Sequence, residues 1–300
     1  MSAPRSQRVA VDGWIVLDKP VGITSTAAVS RLKWLFNARK AGHAGTLDPL
    51  ASGILPVAFG EATKTVPYVQ DGEKAYRFVV RWGEETDTDD AEGAVVDVSP
   101  LRPSLAEIER QLPRFTGPIQ QVPPAFSAIK VDGHRAYDLA RGGELPELAA
   151  RVVDIRALRL IGADADSAIF EAECGKGTYV RAIARDMGRA LGCGGHVAAL
   201  RRTRVGPFGE AGAIPLDRLL AAEDVPGAMR PIEAGLSEIA RLQVDRDGAA
   251  RLRRGQPVLL RGRDAPLDGE AYAVCGGVVI AVGQIDHGEL VPARVFNSLF

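Results

Sequence analysis

Ala41-Gly-His-Ala-Gly-Thr-Leu-Asp-Pro-Leu-Ala-Ser-Gly53 carries neither a helical nor a strand period, and it lies between stretches that do. From Ala38 to Gly53 the chain has three glycines, one proline and several small residues, and it reads as a long loop. Connections of that length inside a compact domain tend to be functional or disordered. The small residues permit close approach of a ligand, and Pro49 fixes the chain directly after Asp48. Asp48 is the only carboxylate between Asp18 and Glu61, with Arg39, Lys40 and His43 upstream. A lone aspartate in a loop is usually a cap or turn former. It also serves as a covalent nucleophile when a cation holds it ionised in a desolvated pocket.

Outward from this loop the chain mixes strand and helix signals. Gly13 to Leu17 is an apolar run stopped by Lys19-Pro20 and Gly22, which predicts a strand feeding a turn. Ser25 or Thr26 is then placed to cap a helix carrying Ala28, Val29, Leu32, Leu35 and Phe36 at helical spacing. Tyr76, Phe78, Val80 and Trp82 alternate with Arg77, Val79 and Arg81, a period-two strand. Ser104 and Glu107 have capping-box spacing. Gln120 to Glu147 reads as a Pro- and Gly-rich excursion with at most one short helix near Arg135 to Arg141. Val152 to Leu160 and Ala168 to Cys174 predict strands. Thr178 is expected to cap a helix with Val180, Ile183, Ala184, Met187 and Leu191 on one face, ended by Gly192. Without a regular βαβ rhythm the expectation is an α+β fold. Beyond Ala240 the short runs Pro257 to Leu260, Ala271 to Val274 and Val278 to Ile285 predict a small β-rich module, so the domains divide as 1–238 and 239–300.

Composition narrows the function. The chain has 300 residues, 46% hydrophobic and 25% charged, with a formal net charge of -1. No apolar run approaches the roughly 18 residues of a membrane span. Met1 to Val11 lacks the apolar core of a signal peptide, so a cytoplasmic location is expected. Cys174, Cys193 and Cys275 show no C-x-x-C spacing, and the four histidines form no H-E-x-x-H pair, so neither a disulfide framework nor a metal is expected. The balance of charge is local. Seven Lys or Arg face three Asp over residues 1–60, and seven face two acids both over 173–204 and over 241–263. Three basic zones on a near-neutral chain suit a phosphate backbone, or equally a solvated surface.

Two motifs fail on spacing. Asp87 to Gly93 resembles a calcium loop, but that loop would need an oxygen ligand at Ala91, glycine at Glu92 and glutamate at Val98. A solvated acidic turn is expected instead. Gly175-Lys176-Gly177-Thr178 looks like part of a phosphate loop, but the required first glycine is Phe170.

Gly42 to Gly53 closely resembles the signature of the TruB family of tRNA pseudouridine synthases. The likeness continues in Leu17-Asp-Lys-Pro-x-Gly22, Gly60-Glu-Ala-Thr-Lys64, Lys74-Ala-Tyr76, Thr86 to Gly93, Gly175 to Arg181 and Leu200-Arg-Arg202, in the family's order over about 210 residues. The resemblance implies a central mixed, largely antiparallel sheet flanked by helices, with a small C-terminal RNA-binding appendix of the PUA type. It implies isomerisation of uridine to pseudouridine at position 55 in the tRNA T-loop, with no cofactor or metal. It assigns Asp48 as nucleophile, and Arg181 as the cation that keeps it ionised and aimed. Tyr76 would stack on the target base and move its proton. Tyr179 and Leu200 would wall the pocket of the extruded base. His43 would fill the space left by flipped nucleotides, and Gly45 would contact substrate. Lys19 and Pro20 would support the Tyr76 strand. The excursion at about 120–147, with Arg135, Arg141 and Gly142-Gly143, is similar to the insertion that bacterial members place against the RNA stem. The expected partner is the T-arm of tRNA, with no membrane, no guide RNA and a monomeric enzyme. The alternatives are a guide-RNA-dependent synthase and a non-catalytic RNA-binding or tRNA-folding protein. A carboxylate glycosidase would need a second catalytic acid, and the sequence offers none in a comparable setting.

Overall fold

The computed structural model describes residues 7–127, 129–131, 134–135, 148–221, 226–260 and 266–297. The predicted first strand is β1 (Gly13–Lys19), followed by α1 (Ser25–Leu35). The cap of α1 is Thr24, whose hydroxyl accepts from Ala27 N; Ser25 and Thr26 are not the capping residues. The stretch read as one loop contains a short strand, β2 (Ala41–His43), and runs into β3 (Ala51–Phe59), which leaves residues 44–50 as the irregular part. Then come α2 (Val66–Asp71), β4 (Lys74–Trp82), and a hairpin of β5 (Glu84–Thr86) and β6 (Val95–Val98). The Ser104–Glu107 capping box opens α3 (Leu105–Gln111), and β7 (Gly117–Gln121) follows.

Within the expected excursion, β8 (Lys130–Val131) pairs with β9 (His134–Arg135), and past Arg135 the short helix expected near Arg135 to Arg141 lies outside the described residues. Arg141 and Gly142-Gly143 lie outside the described residues. Next are β10 (Arg151–Ala163), β11 (Ser167–Cys174), α4 (Val180–Ala190) and β12 (Gly195–Val205). Short strands β13 (Phe208–Gly209) and β14 (Ile214–Pro215) lead into α5 (Leu216–Ala221).

The main sheet runs β14-β1-β3-β12-β4-β11-β10-β7, with β2 paired to β3 and β13 to β12. Pairing is antiparallel except for β1 with β14 and β3 with β12. This is the mixed, largely antiparallel α+β sheet expected. Strands β1 and β3 are buried on both faces. Ile15, Leu17, Leu55 and Val57 face the core under α1 and α4, while Trp14, Val16, Ile54 and Ala58 face a second cluster with Val69 and Phe208. Strands covered on both faces read as continuous apolar runs. By contrast, β4 and β11 bury one face, with Phe78, Val80, Trp82, Ala168, Phe170, Ala172 and Cys174 on the core side. Their other face carries Arg77, Arg81 and Glu171.

A second sheet is built from β15 (Ala240–Gln243), β16 (Val258–Leu259), β17 (Gly269–Cys275), β18 (Val278–Asp286) and β19 (Glu289–Val295), in the order β15-β17-β18-β19-β16. Its helix α6 (Arg246–Arg253), capped by Asp245, was not foreseen in the sequence. Leu252, Ala273, Ile280 and Leu290 form its own core. A smaller cluster joins Leu236, Tyr272 and Phe296 to Tyr68 on α2. Lys64 Nζ also donates to Val295 O at 2.7 Å, and Asn297 N donates to Glu61 Oε2 at 2.7 Å.

Candidate active site

The irregular residues 44–50 are fixed by groups from three other elements. Arg202 on β12 is only 2% exposed and enters from beneath. Its Nε donates to Ile54 O at 2.8 Å, Nη2 to Gly45 O at 2.9 Å and Nη1 to Thr46 O at 3.3 Å. Gly45 has φ +91°, and a Cβ there would lie 3.2 Å from Arg202 Nη1, so both conformation and space call for glycine. At Gly53, φ is +101° and a Cβ would overlap the Arg202 carbonyl, which lets β3 approach β12 closely. On the near side, Gly22 N donates to Pro49 O at 2.8 Å.

Asp48 projects from this loop to Arg181, in the first turn of α4, with Oδ2 2.9 Å from Nη2. Arg181 is 5% exposed and is met by oxygens. It donates to Thr88 O at 2.9 Å and Phe126 O at 2.8 Å, and pairs with Asp90 Oδ2 at 3.4 Å. A helix start disfavours a cation, and two carboxylates with two carbonyls answer that cost. The acidic turn is therefore only partly solvated: Asp87 and Glu92 are exposed, while Asp89 and Asp90 turn inward. Asp90 is 3% exposed, and Asp89 pairs with Arg185 Nη1 at 3.0 Å. Burial explains the change of reading: β5 and the turn fold against β12, where Val197 N donates to Asp89 O. Asp90 gives Arg181 a second carboxylate partner, one that the sequence did not reveal.

Tyr76, Leu200 and Tyr179 line the same cavity as Gly45, Asp48, Arg181 and Arg202, a space of about 410 Å³. Such a volume suits a small organic ligand. Tyr76 lies directly across from Arg202 in the β4–β12 register. Burial pushes its phenol above the ordinary value, opposed by the Arg202 guanidinium. Burial likewise pulls Arg202 down, opposed by Tyr76 and Asp48. Leu200 is buried at the cavity wall. Tyr179 is the N-cap residue of α4, the position expected of Thr178, and no side chain of its own caps the helix. Gln121 does the holding instead: Tyr179 N donates to Gln121 Oε1 at 2.8 Å, and Gln121 Nε2 donates to Tyr179 O at 3.1 Å. Burial raises the Tyr179 phenol as well.

The structure corrects Lys19 and Pro20. Strand β1 is separated from β4 by β3 and β12, so neither residue supports the Tyr76 strand. Lys19 is fully buried, and Nζ donates to Pro20 O at 2.9 Å and Ile23 O at 2.8 Å, bracing the turn under the Asp48 loop. Burial lowers its pKa to about 8, against the pull of Asp48. Pro20 is exposed at the head of that turn. His43 sits half-buried on β2, outside the lining of the cavity, and burial then Arg202 hold its pKa low. Among the described residues no group of His, Cys, Asp or Glu is arranged to hold a metal ion.

A TruB family pseudouridylate synthase N-terminal domain model matches residues 33–180, and a tRNA pseudouridylate synthase B C-terminal domain model matches residues 181–237. Proteins named tRNA pseudouridine synthase B from Bradyrhizobium diazoefficiens and Agrobacterium fabrum are 59% and 55% identical to it. These likenesses cover 98% and 99% of this chain and 88% and 100% of theirs. The chain belongs to the TruB family. It is an enzyme of the pseudouridine synthase class, and the fold agrees. A chain from a crystal structure of a Cbf5-Nop10-Gar1 complex matches it with TM-score 0.72 at 24% identity, covering 98% of this chain and 86% of that one. The two matched TruB spans end before β15. Residue-level reading missed Asp90, Arg202 and Gln121 within them, and Ser25 before them. For Asp90 and Arg202 a signal existed, since both stand in segments shared with the TruB pattern. Ser25 and Gln121 had none beyond residue type.

Proposed function

We propose that this chain converts uridine to pseudouridine at position 55 in the T-loop of tRNA, using Asp48 as nucleophile on a base flipped out of the RNA. The observation that carries the reading is the Asp48–Arg181 pair at 2.9 Å, opening into a cavity that Tyr76, Tyr179 and Leu200 also line. Arg181 aims the carboxylate, while its remaining donors are taken by Thr88, Phe126 and Asp90. Asp48 attacks the nucleoside at the sugar carbon or the base ring, or removes a sugar proton. In each route the N1–C1′ bond breaks, the uracil turns in the cavity, and C5 bonds to C1′. The C5 proton is then lost and N1 gains one. Tyr76 stacks on the base and takes part in the proton transfer. Tyr179 and Leu200 hold the extruded ring. The relatives named tRNA pseudouridine synthase B support tRNA as substrate.

The reading places the reaction in the cytoplasm, with a monomer acting on the T-arm stem-loop and no guide RNA. Residues 1–238 form the catalytic domain and 239–300 a PUA-type RNA contact, on which α6 exposes Arg246, Arg251 and Arg253. Exposed arginines on one short helix suit a phosphate backbone.

The test is tritium release from unmodified tRNA labelled at uracil C5, with purified protein and no other RNA. One equivalent per tRNA is expected, and Asp48→Asn should abolish release while RNA affinity stays within a few-fold. Tight tRNA binding without release would move the reading to a guide-dependent or binding-only protein.

A further inference from the structure

We propose that Ser25 is a positioning residue for Asp48: its hydroxyl sets the peptide plane from which the carboxylate projects. The proposal rests on the reading of Asp48 as nucleophile. Ser25 is the first residue of α1, where a hydroxyl would ordinarily cap the helix or meet water. Here Thr24 already caps it, accepting from Ala27 N at 3.1 Å. Ser25 is 2% exposed, and its hydroxyl is fully committed to a residue far away in the chain. Oγ accepts from Leu47 N at 2.8 Å and donates to Leu47 O at 3.0 Å.

The Leu47 carbonyl belongs to the peptide unit whose nitrogen is that of Asp48. Holding both polar groups of Leu47 removes rotation on the N-terminal side of the nucleophile. On the C-terminal side Gly22 N holds Pro49 O at 2.8 Å, and Ala51 N donates to Asp48 O at 3.1 Å. Gly22 and Ser25 belong to one short turn, braced from below by the buried ammonium of Lys19 on Ile23 O. A single braced segment thus grips the loop on either side of Asp48, while Arg202 grips it farther back at Gly45 and Thr46. Leu47 is itself 4% exposed, so removal of the hydroxyl leaves a buried amide and carbonyl without partners. The loop relieves that by turning its Leu47–Asp48 peptide, which swings the carboxylate away from its aim.

The experiment compares wild type, Ser25→Ala, Ser25→Cys and Ala28→Gly in single-turnover tritium release. The dissociation constant for tRNA and the melting temperature are measured on the same preparations. Ala28 is buried on the same helix and has no polar side-chain group to bond the loop, so it controls for loss of stability. Since a misplacement of about 1 Å costs about 100-fold, Ser25→Ala should lower the single-turnover rate by about 30- to 100-fold with tRNA affinity unchanged within about twofold. Ser25→Cys keeps a weak donor and acceptor and should fall between Ala and wild type. Ala28→Gly should lower the melting temperature and leave the rate at wild type. A wild-type rate in folded Ser25→Ala, or in Ser25→Cys should the alanine variant not fold, overturns the proposal. So does a rate loss in Ala28→Gly as large as that in Ser25→Ala. Asp48→Asn is run in parallel. Turnover in that variant would defeat the nucleophile reading instead, and so separates the two failures.

Discussion

Arg201 and Arg202 are neighbours on one strand and live in different physical worlds. Strand geometry sends them to opposite faces of the sheet. Arg202 goes inward, where it is almost wholly buried and bonds to the carbonyls of Gly45, Thr46 and Ile54. Arg201 goes outward, its side chain 34% exposed, and pairs with Asp18 at 3.0 Å and Glu210 at 2.6 Å. The outer face continues as a lattice of such pairs, Arg77 with Glu171 and Arg159 with Glu173. Exposed ion pairs are individually weak, whereas a buried guanidinium that holds backbone carbonyls is costly to remove. The lesson is that the same residue type does opposite jobs one position apart. On the outside it covers a sheet face that no helix among the described residues shields, and on the inside it holds the chain that presents Asp48.

The largest effect expected from this contrast is in stability. Arg202→Met takes a donor from the buried carbonyl of Ile54, worth about 1–3 kcal/mol, and from the part-buried carbonyls of Gly45 and Thr46, so urea denaturation should show a loss of at least about 2 kcal/mol. Arg201→Met should lose less than about 1 kcal/mol in the same experiment. Similar losses would break the comparison. In activity, Tyr76→Phe should slow single-turnover release far more than it weakens tRNA binding, because the hydroxyl faces Arg202 in the cavity while the ring remains to stack. A pure affinity defect would remove the proton-transfer role.

Lys19 extends the contrast to pH. Its folded pKa of about 8 lies below the unfolded value of 10.5, so the unfolded chain binds the extra proton between those values. Stability from this group is therefore least below pH 8 and rises as pH climbs from 8 toward 10.5. Lys19→Met should flatten that rise in denaturation curves taken across the window. The smallest effect belongs to the outer face. A double-mutant cycle on Arg77 and Glu171 should give a coupling below about 1 kcal/mol that shrinks with added salt.

Much of this was legible in the sequence, and strand parity explains where it was not. The runs in β1 and the alternation in β4 declared themselves because apolar residues obey the period of the sheet. Adjacent arginines carry no such mark. Which of Arg201 and Arg202 turns inward depends on the register of β12 with β3 and β4, a long-range property. The acidic turn misled for the same reason: four acids in six residues look solvated until Arg181 and Arg185 are brought across from α4. Strand β2 escaped notice because three residues containing a glycine offer no period. Ser25 was read as a cap because the preceding threonine took that role only in the folded chain. Asp48 stood out by isolation, and its partner Arg181 only through the family pattern.

Arg202 reaches the Asp48 loop across 156 positions of sequence, and Lys64 reaches Val295 across 231. These separations have a consequence for the nascent chain. While the ribosome is still adding residues, the loop after β2 has its anchors at Gly22 and Ser25 but lacks that of Arg202 until β12 emerges, and contacts between distant positions slow folding. Asp48 thus spends most of translation without Arg181 and Arg202. It gains its aim only when the chain is about two-thirds made, before the second sheet can close on Glu61 and Lys64.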